Sequence, residues 1–173
     1  GSKVIIHGAA GGVGSAAVML AKRLGAEVTA VCNARNVEFA TSLGADRVID
    51  YTTEDFTAGG ETYDAILDAS GTLSYKRARR SLKAGGRLLL VSADLPTLLM
   101  AALGAMGSDH KVVAGPAQWT MDDLEFVRAA AESGAYRVPV ERAFSFDQIA
   151  QAHAFVDSGR KRGNVVVRLE PVL

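Results

Sequence analysis

Sulfur is scarce, with Cys32 the single cysteine in 173 residues. One cysteine cannot close an internal disulfide or build a cysteine-rich zinc site, and it suits a reducing compartment such as the cytoplasm. Net charge is missing too, because 19 basic and 19 acidic side chains balance. A neutral balance lacks the electrostatic footprint of a nucleic-acid binder, so no nucleic-acid partner is expected. Long apolar runs are also absent. The longest, Leu98-Leu99-Met100-Ala101-Ala102-Leu103, falls far short of a membrane span, so no membrane partner is expected either. Lys3-Val4-Ile5-Ile6-His7 runs straight into glycines and reads as a short strand, not a signal peptide.

What is present is the composition of a folded domain, 49% hydrophobic and 22% charged. Gly1-Ser2 reads as a cloning scar, and a strand pattern starting at once at Lys3 predicts a piece of a longer chain. Strand and helix patterns then alternate. Val4–His7 is a buried strand pattern. Gly12 to Leu24 is a helix with Val13, Ala17, Leu20 and Leu24 on one face, ended by Gly25. Glu27–Cys32 is a strand, Asn36–Leu43 a helix and Arg47–Tyr51 a strand. Tyr63–Ser70 is a fourth strand, Leu73–Lys83 a helix, and Gly85-Gly86 leads into a fifth strand, Arg87–Ser92. Lys111–Ala114 reads as a sixth strand, and Thr120 caps a helix over Met121–Ser133.

Strands that are apolar throughout and alternate with helices predict an α/β fold with parallel strands buried on both faces. The expected architecture is a Rossmann-type doubly wound parallel sheet of six strands in a three-layer sandwich. The end of the chain departs from this alternation. Arg137-Val138-Pro139-Val140 is a short extended piece, Phe146–Ser158 a helix and Asn164–Leu169 a last strand. Two units are therefore expected, a dinucleotide-binding domain over 1–136 and a C-terminal segment over 137–173.

Gly8-Ala9-Ala10-Gly11-Gly12-Val13-Gly14 lies between the first strand and the first helix, where a phosphate-binding turn must lie. Glycines let backbone approach pyrophosphate oxygens, and the helix N-terminus aims free N–H groups and its positive dipole end at them. Ala10, Gly11, Gly12, Val13 and Gly14 are the candidate residues. A tight structural turn and an S-adenosylmethionine site are the competing readings. The end of the second strand then discriminates between dinucleotides. An NAD site places an Asp or Glu there to bond the ribose 2′-OH. Here Val31-Cys32 is followed by Asn33-Ala34-Arg35-Asn36, with no carboxylate and with a guanidinium able to fork onto a 2′-phosphate. Asn33 and Asn36 can add neutral bonds. NADP(H) is the expected cofactor, against the alternative of an exposed loop arginine with no ligand.

Val4 through Gly14 resembles the medium-chain dehydrogenase/reductase superfamily in its quinone-oxidoreductase-like branch. Leu43-Gly44-Ala45-Asp46-Arg47-Val48-Ile49-Asp50-Tyr51, Tyr63 through Gly71 and Leu82-Lys83-Ala84-Gly85-Gly86-Arg87 are similar to the same family, as are Ala152-His153 and Ser158 through Val167. Only Leu95–Asp109 is idiosyncratic. The resemblance implies that a GroES-like catalytic domain normally precedes these residues, and that the C-terminal segment folds back onto it. The Ala-Ala-Gly-Gly-Val-Gly form implies the zinc-free branch, so no metal site is expected and no catalytic residue is assigned. By position, Arg35 and Asn36 fall where relatives contact the 2′-phosphate, and Tyr51 falls near the adenosine end. Ser70 and Ser92 fall near the ribose and nicotinamide. The implied reaction is hydride transfer from NADPH to a small-molecule carbonyl or quinone acceptor: a quinone, an enone or an enoyl-thioester. A homodimer through the sixth strand is also implied. The competing function is a nucleotide-binding or redox-sensing module without catalysis.

Other side chains read as structural. His7 is expected to be a satisfied core histidine, His153 to pack on an apolar helix face, and His110 to be solvated. Asp68 is expected to cap local backbone and Cys32 to pack. Lys76-Arg77-Ala78-Arg79-Arg80 reads as a solvated helix face. The apolar stretch Leu95–Met106, started by Asp94-Leu95-Pro96, could pack as core, line a cleft or meet a partner.

Overall fold

A computed structural model describes residues 1–115 and 119–169. In chain order the elements are β1 (Lys3–His7), α1 (Gly12–Arg23), β2 (Glu27–Cys32), α2 (Val37–Ser42), β3 (Arg47–Asp50), β4 (Tyr63–Asp68), α3 (Tyr75–Ala78) and β5 (Leu82–Leu90). They continue with α4 (Leu95–Ala105), β6 (Lys111–Ala114), α5 (Met121–Glu132), β7 (Val140–Ser145), α6 (Ile149–Asp157) and β8 (Asn164–Arg168).

Six strands form one parallel sheet in the order β3-β2-β1-β4-β5-β6. Successive side chains of a strand point to opposite faces, and the two cores follow from that alternation. Ile5, Ile49, Ile66 and Leu88 pack on one face with Tyr75 of α3 and Ala101 of α4. Ile6, Val28, Ala30 and Cys32 pack on the other with Val18 of α1 and Ala40 of α2. The result is the helix–sheet–helix sandwich read from the apolar strands. The strand order reverses between β1 and β4, and the crevice outside the carboxyl ends of those two strands is where such sheets bind ligands.

Several local expectations are corrected. Val13 and Leu24 do not face the core; they are 52% and 71% exposed, and α1 buries Gly14, Ser15 and Val18 instead. The helix expected over Leu73–Lys83 shrinks to Tyr75–Ala78 plus a 3-10 turn at Arg79–Ser81. Its start is delayed by Asp68, whose carboxylate accepts the N–H groups of Ser70, Gly71 and Leu73 and keeps those residues in a capped loop. Strand β5 starts at Leu82 instead of Arg87, because Leu82 pairs with Tyr63 and the Gly85-Gly86 pair is absorbed in an irregularity of register. It ends at Leu90, two residues before the expected end. Lys83 anchors this stretch with an ion pair to Asp64 at 2.8 Å.

Strand β7 begins at Val140, the last residue of the extended piece expected at Arg137–Val140, and continues to Ser145. Its charged residues Glu141 and Arg142 hide it from an apolar pattern, but β8 pairs with it in parallel, and Arg142 lies over the rings of Phe144 and Phe155. Thr120 caps α5 in a capping box with Asp123, as its position predicts. Asp94 caps α4, with Pro96 in the first turn. That helix buries Ala101 alone, while Leu95, Leu99, Met100 and Leu103 are exposed.

Candidate functional site

The turn between β1 and α1 is shaped by backbone. Gly8 turns at φ +82°, and the N–H groups of Gly8 and Ala9 both donate to the Val31 carbonyl at 3.1 Å, so the turn is fastened to β2. A Cβ on Gly14 would lie 2.1 Å from the Gly8 carbonyl oxygen and 2.8 Å from Ala9 Cα, so α1 sits directly on the turn and only glycine fits there. Gly11 differs. A Cβ there would meet only the Gly8 oxygen, at an ordinary 3.6 Å. The protein itself does not require glycine at that position; an approaching ligand would. Gly11 is also the N-cap of α1 and supplies no capping side chain, so the first turn of the helix has no side-chain acceptor of its own. Val13, on that first turn, is half exposed, and Ala10 is buried.

The carboxyl ends of β1 and β4 meet in a polar cluster. His7 Nδ1 lies 3.1 Å from Asp68 Oδ1 and 2.9 Å from Ser70 Oγ. Ser70 Oγ donates to Asp68 Oδ1 at 2.7 Å and lies 2.8 Å from Thr72 Oγ1. Aspartate and serine address the same ring nitrogen, so the three do not form a nucleophilic relay, which needs one on each side of the imidazole. His7 is a satisfied histidine packed 5.9 Å from the Phe56 ring. Burial alone would raise the Asp68 carboxyl, but the bonds from His7, Ser70 and Leu73 outweigh it and hold the group at about 2. Ser92 follows β5, and the backbones of Gly71 and Ser92 approach so closely that a Cβ on Gly71 would lie 2.7 Å from the Ser92 carbonyl oxygen. Ser70 and Ser92 are both exposed at this end of the sheet.

The end of β2 gathers the rest of the expected site. Tyr51 N–H donates to the Cys32 carbonyl at 3.0 Å, bringing Tyr51, 57% exposed, beside Asn33. Asn33 Oδ1 is buried with no hydrogen-bond partner. Arg35 and Asn36 stand in a 3-10 turn and line a cavity of about 260 Å³ with Glu141, Arg160 and Arg162. The last three were not read from the sequence as site residues. The basic run Arg160-Lys161-Arg162 was visible, but nothing local says which turn it faces. Burial and the neighbouring Asp50 push the Cys32 thiol up to about 11, so it stays protonated and packs.

The C-terminal segment touches the glycine turn directly. Gly163 N–H donates to the Ala10 carbonyl at 2.8 Å, and Gly11 and Gly163 pair as a parallel bridge. Two histidines differ from expectation. His153 is exposed on α6, and His110 is half-buried, with Nδ1 3.1 Å from the Tyr75 hydroxyl.

A family model described as zinc-binding dehydrogenase matches residues 43–167. The chain belongs to that family. Within it the chain is quinone-oxidoreductase-like. It is 29% identical to the chloroplastic quinone-oxidoreductase QR1 of Triphysaria versicolor, over 95% of this chain and 51% of that protein. It is also 29% identical to the chloroplastic NADPH-dependent alkenal/one oxidoreductase of Arabidopsis thaliana, over 96% of this chain and 40% of that protein. The solved quinone oxidoreductase of Coxiella burnetii superposes with a TM-score of 0.86 at 28% identity, over 98% of this chain and 53% of the other. The chain thus spans about half the length of the relatives it matches, and that half is the cofactor-binding portion of the dehydrogenase. Among the described residues, no group of three or more His, Cys, Asp or Glu side chains could hold a metal ion, and no helix is long and apolar enough to cross a membrane.

Proposed function

We propose that this chain is the NADPH-binding portion of an oxidoreductase that reduces a quinone, an enone or an enoyl-thioester. The observation that carries the choice of NADPH is the end of β2, where Asn33-Ala34-Arg35-Asn36 offers a guanidinium beside a cavity and no carboxylate follows the strand. The names of the two relatives, one a quinone oxidoreductase and one an NADPH-dependent alkenal/one oxidoreductase, support the acceptor class.

The residues fit the cofactor in four places. The open space at Gly11 and the uncapped start of α1 suit a pyrophosphate. The orphaned Asn33 Oδ1 suits a ribose hydroxyl as donor. Arg35 and Asn36 suit the 2′-phosphate, with Tyr51 flanking the adenosine. Ser70 and Ser92, at the ends of β4 and β5, lie where the nicotinamide half would pass. When bound, NADPH supplies the hydride; the chain's own residues hold and orient it. The acceptor's second wall comes from outside these residues, and the segment 137–173 returns toward that wall. A second copy pairs along the exposed edge of β6.

Calorimetric titration tests the cofactor. NADPH binds more tightly than NADH, and Arg35→Gln lowers NADPH affinity about ten- to a hundredfold, the equivalent of one charge-assisted bond, while sparing NADH. Equal affinities of the unaltered protein for the two cofactors would overturn the choice.

A further inference from the structure

Helices α3 and α4 cover the same face of the sheet and leave a cavity between them of about 640 Å³. That size encloses a small organic ligand. Tyr75, Pro96, Met100, Ala101 and Gly104 form its apolar wall. The Tyr75 hydroxyl is engaged elsewhere, 3.0 Å from Ser108 Oγ and 3.1 Å from His110 Nδ1, which leaves the ring as its contribution to the wall. Helix α4 meets that ring at Gly104, where a Cβ would lie 2.7 Å from Tyr75 Cδ1. Met100 is 68% exposed, an apolar side chain with no covering neighbour.

The rim of the cavity is basic. Lys76, Arg79 and Arg80, spaced i, i+3 and i+4, all line it, whereas Arg77 pairs with Asp55 at 3.2 Å. No carboxylate is among the lining residues. Asp94, just before α4, accepts the Thr97 N–H at 2.9 Å. None of the three rim cations forms an ion pair among the described residues. The basic run and the apolar stretch are far apart in the sequence and meet only here.

This combination selects a ligand of two parts. The apolar wall suits an alkyl chain, and the rim suits an anion at one end of it, because carboxylate and phosphate oxygens accept the forked N–H groups of arginine. A nucleotide, polar along its whole length, would desolvate its hydroxyl and amide groups against Pro96, Met100 and Ala101 without partners.

We propose that the α3–α4 cavity binds an aliphatic chain ending in an anionic group, with the chain on Tyr75, Met100 and Ala101 and the head on Lys76, Arg79 and Arg80. The site shares no residue with the dinucleotide site proposed above and does not depend on it.

Calorimetry and methionine-methyl NMR test it with octanoate, decanoate and dodecanoate below their micellar concentrations, with dodecyl phosphate, and with decanol as the uncharged control. Affinity is expected to rise up to about fourfold for each added methylene, which corresponds to about 0.8 kcal/mol per methylene buried. Decanoate should bind at least about tenfold more tightly than decanol. The Met100 methyl resonance should shift, while that of Met19, on α1 across the sheet, should not. The exposed double substitution Arg79→Gln/Arg80→Gln should abolish the preference for decanoate over decanol and leave NADPH affinity unchanged. Tighter binding of dodecyl phosphate than of dodecanoate supports the site with a phosphoryl head, and the reverse order supports it with a carboxylate head. Equal binding of decanoate and decanol, an affinity that ignores chain length, or an unshifted Met100 methyl would each overturn the proposal. So would a dimer that Met100→Glu dissociates in sedimentation and decanoate leaves intact, because a second copy would then cover the cavity.

Discussion

Asp68 is 1% exposed, and both of its oxygens accept bonds from the chain that follows it. Its carboxyl is held at about 2, below the ordinary 3.8, so the unfolded chain binds the proton more readily than the folded one. The stability this group contributes, about 2 kcal/mol, is present above pH 4 and is lost as pH falls toward 2. In Asp68→Asn the amide would point a donor at one of these N–H groups. Urea unfolding at pH 7 is expected to show a loss of about 1–3 kcal/mol, and the slope of stability between pH 4 and 2 should be shallower than in the unaltered protein. An unchanged acid slope would mean that Asp68 is not the group being titrated. Gly11 and Gly14 separate by the same kind of reading. Gly14→Val drives a side chain into the Gly8 carbonyl and should lower the melting temperature sharply. Gly11→Val meets open space, so the variant should fold with near-normal stability yet lose NADPH binding; retained binding would place the pyrophosphate elsewhere.

At the scale of elements the contrast lies between the six-stranded sheet and the pair β7–β8. Strands β1, β2, β4 and β5 are flanked on both sides and carry most of the buried aliphatic residues. The β7–β8 pair buries Phe144 and Ala152 of its neighbourhood, leaves Val140 and Val167 partly exposed, and is joined to the glycine turn through Gly163. Two-stranded units are marginal alone. Amide hydrogen exchange should therefore be faster over 140–168 than over β1, β2, β4 and β5, and NADPH should slow it at 160–164 if the C-terminal connection contacts the cofactor. Protection of β7–β8 equal to that of the central strands would show that the pair is stable without any further partner.

For the whole molecule, the cofactor crevice lies open at the carboxyl ends of β1 and β4. Catalysis requires a second wall that positions an acceptor and excludes water, and on the proposed reading that wall lies outside these residues. Protein limited to this sequence should bind NADPH yet oxidise it with quinones or enones at a negligible rate in an absorbance assay. Turnover at the rate of a complete reductase would place the catalytic site within these 173 residues. Strand β6 ends the sheet with Val113 about half exposed, an edge that invites pairing, so sedimentation should report a dimer that Val113→Lys dissociates.

The strands and the glycine turn were legible because each is local. An apolar run of four to six residues and a glycine where backbone must come close are written in consecutive positions. The resemblance of these segments to a known family carries the fold. The early start of β5 and strand β7 were not legible, because each depends on a partner distant in sequence: Tyr63 and β8 respectively. The same limit hid Glu141, Arg160 and Arg162. A charged residue on a loop reads the same whether it faces water or a neighbour, and only tertiary structure sets these three beside Arg35.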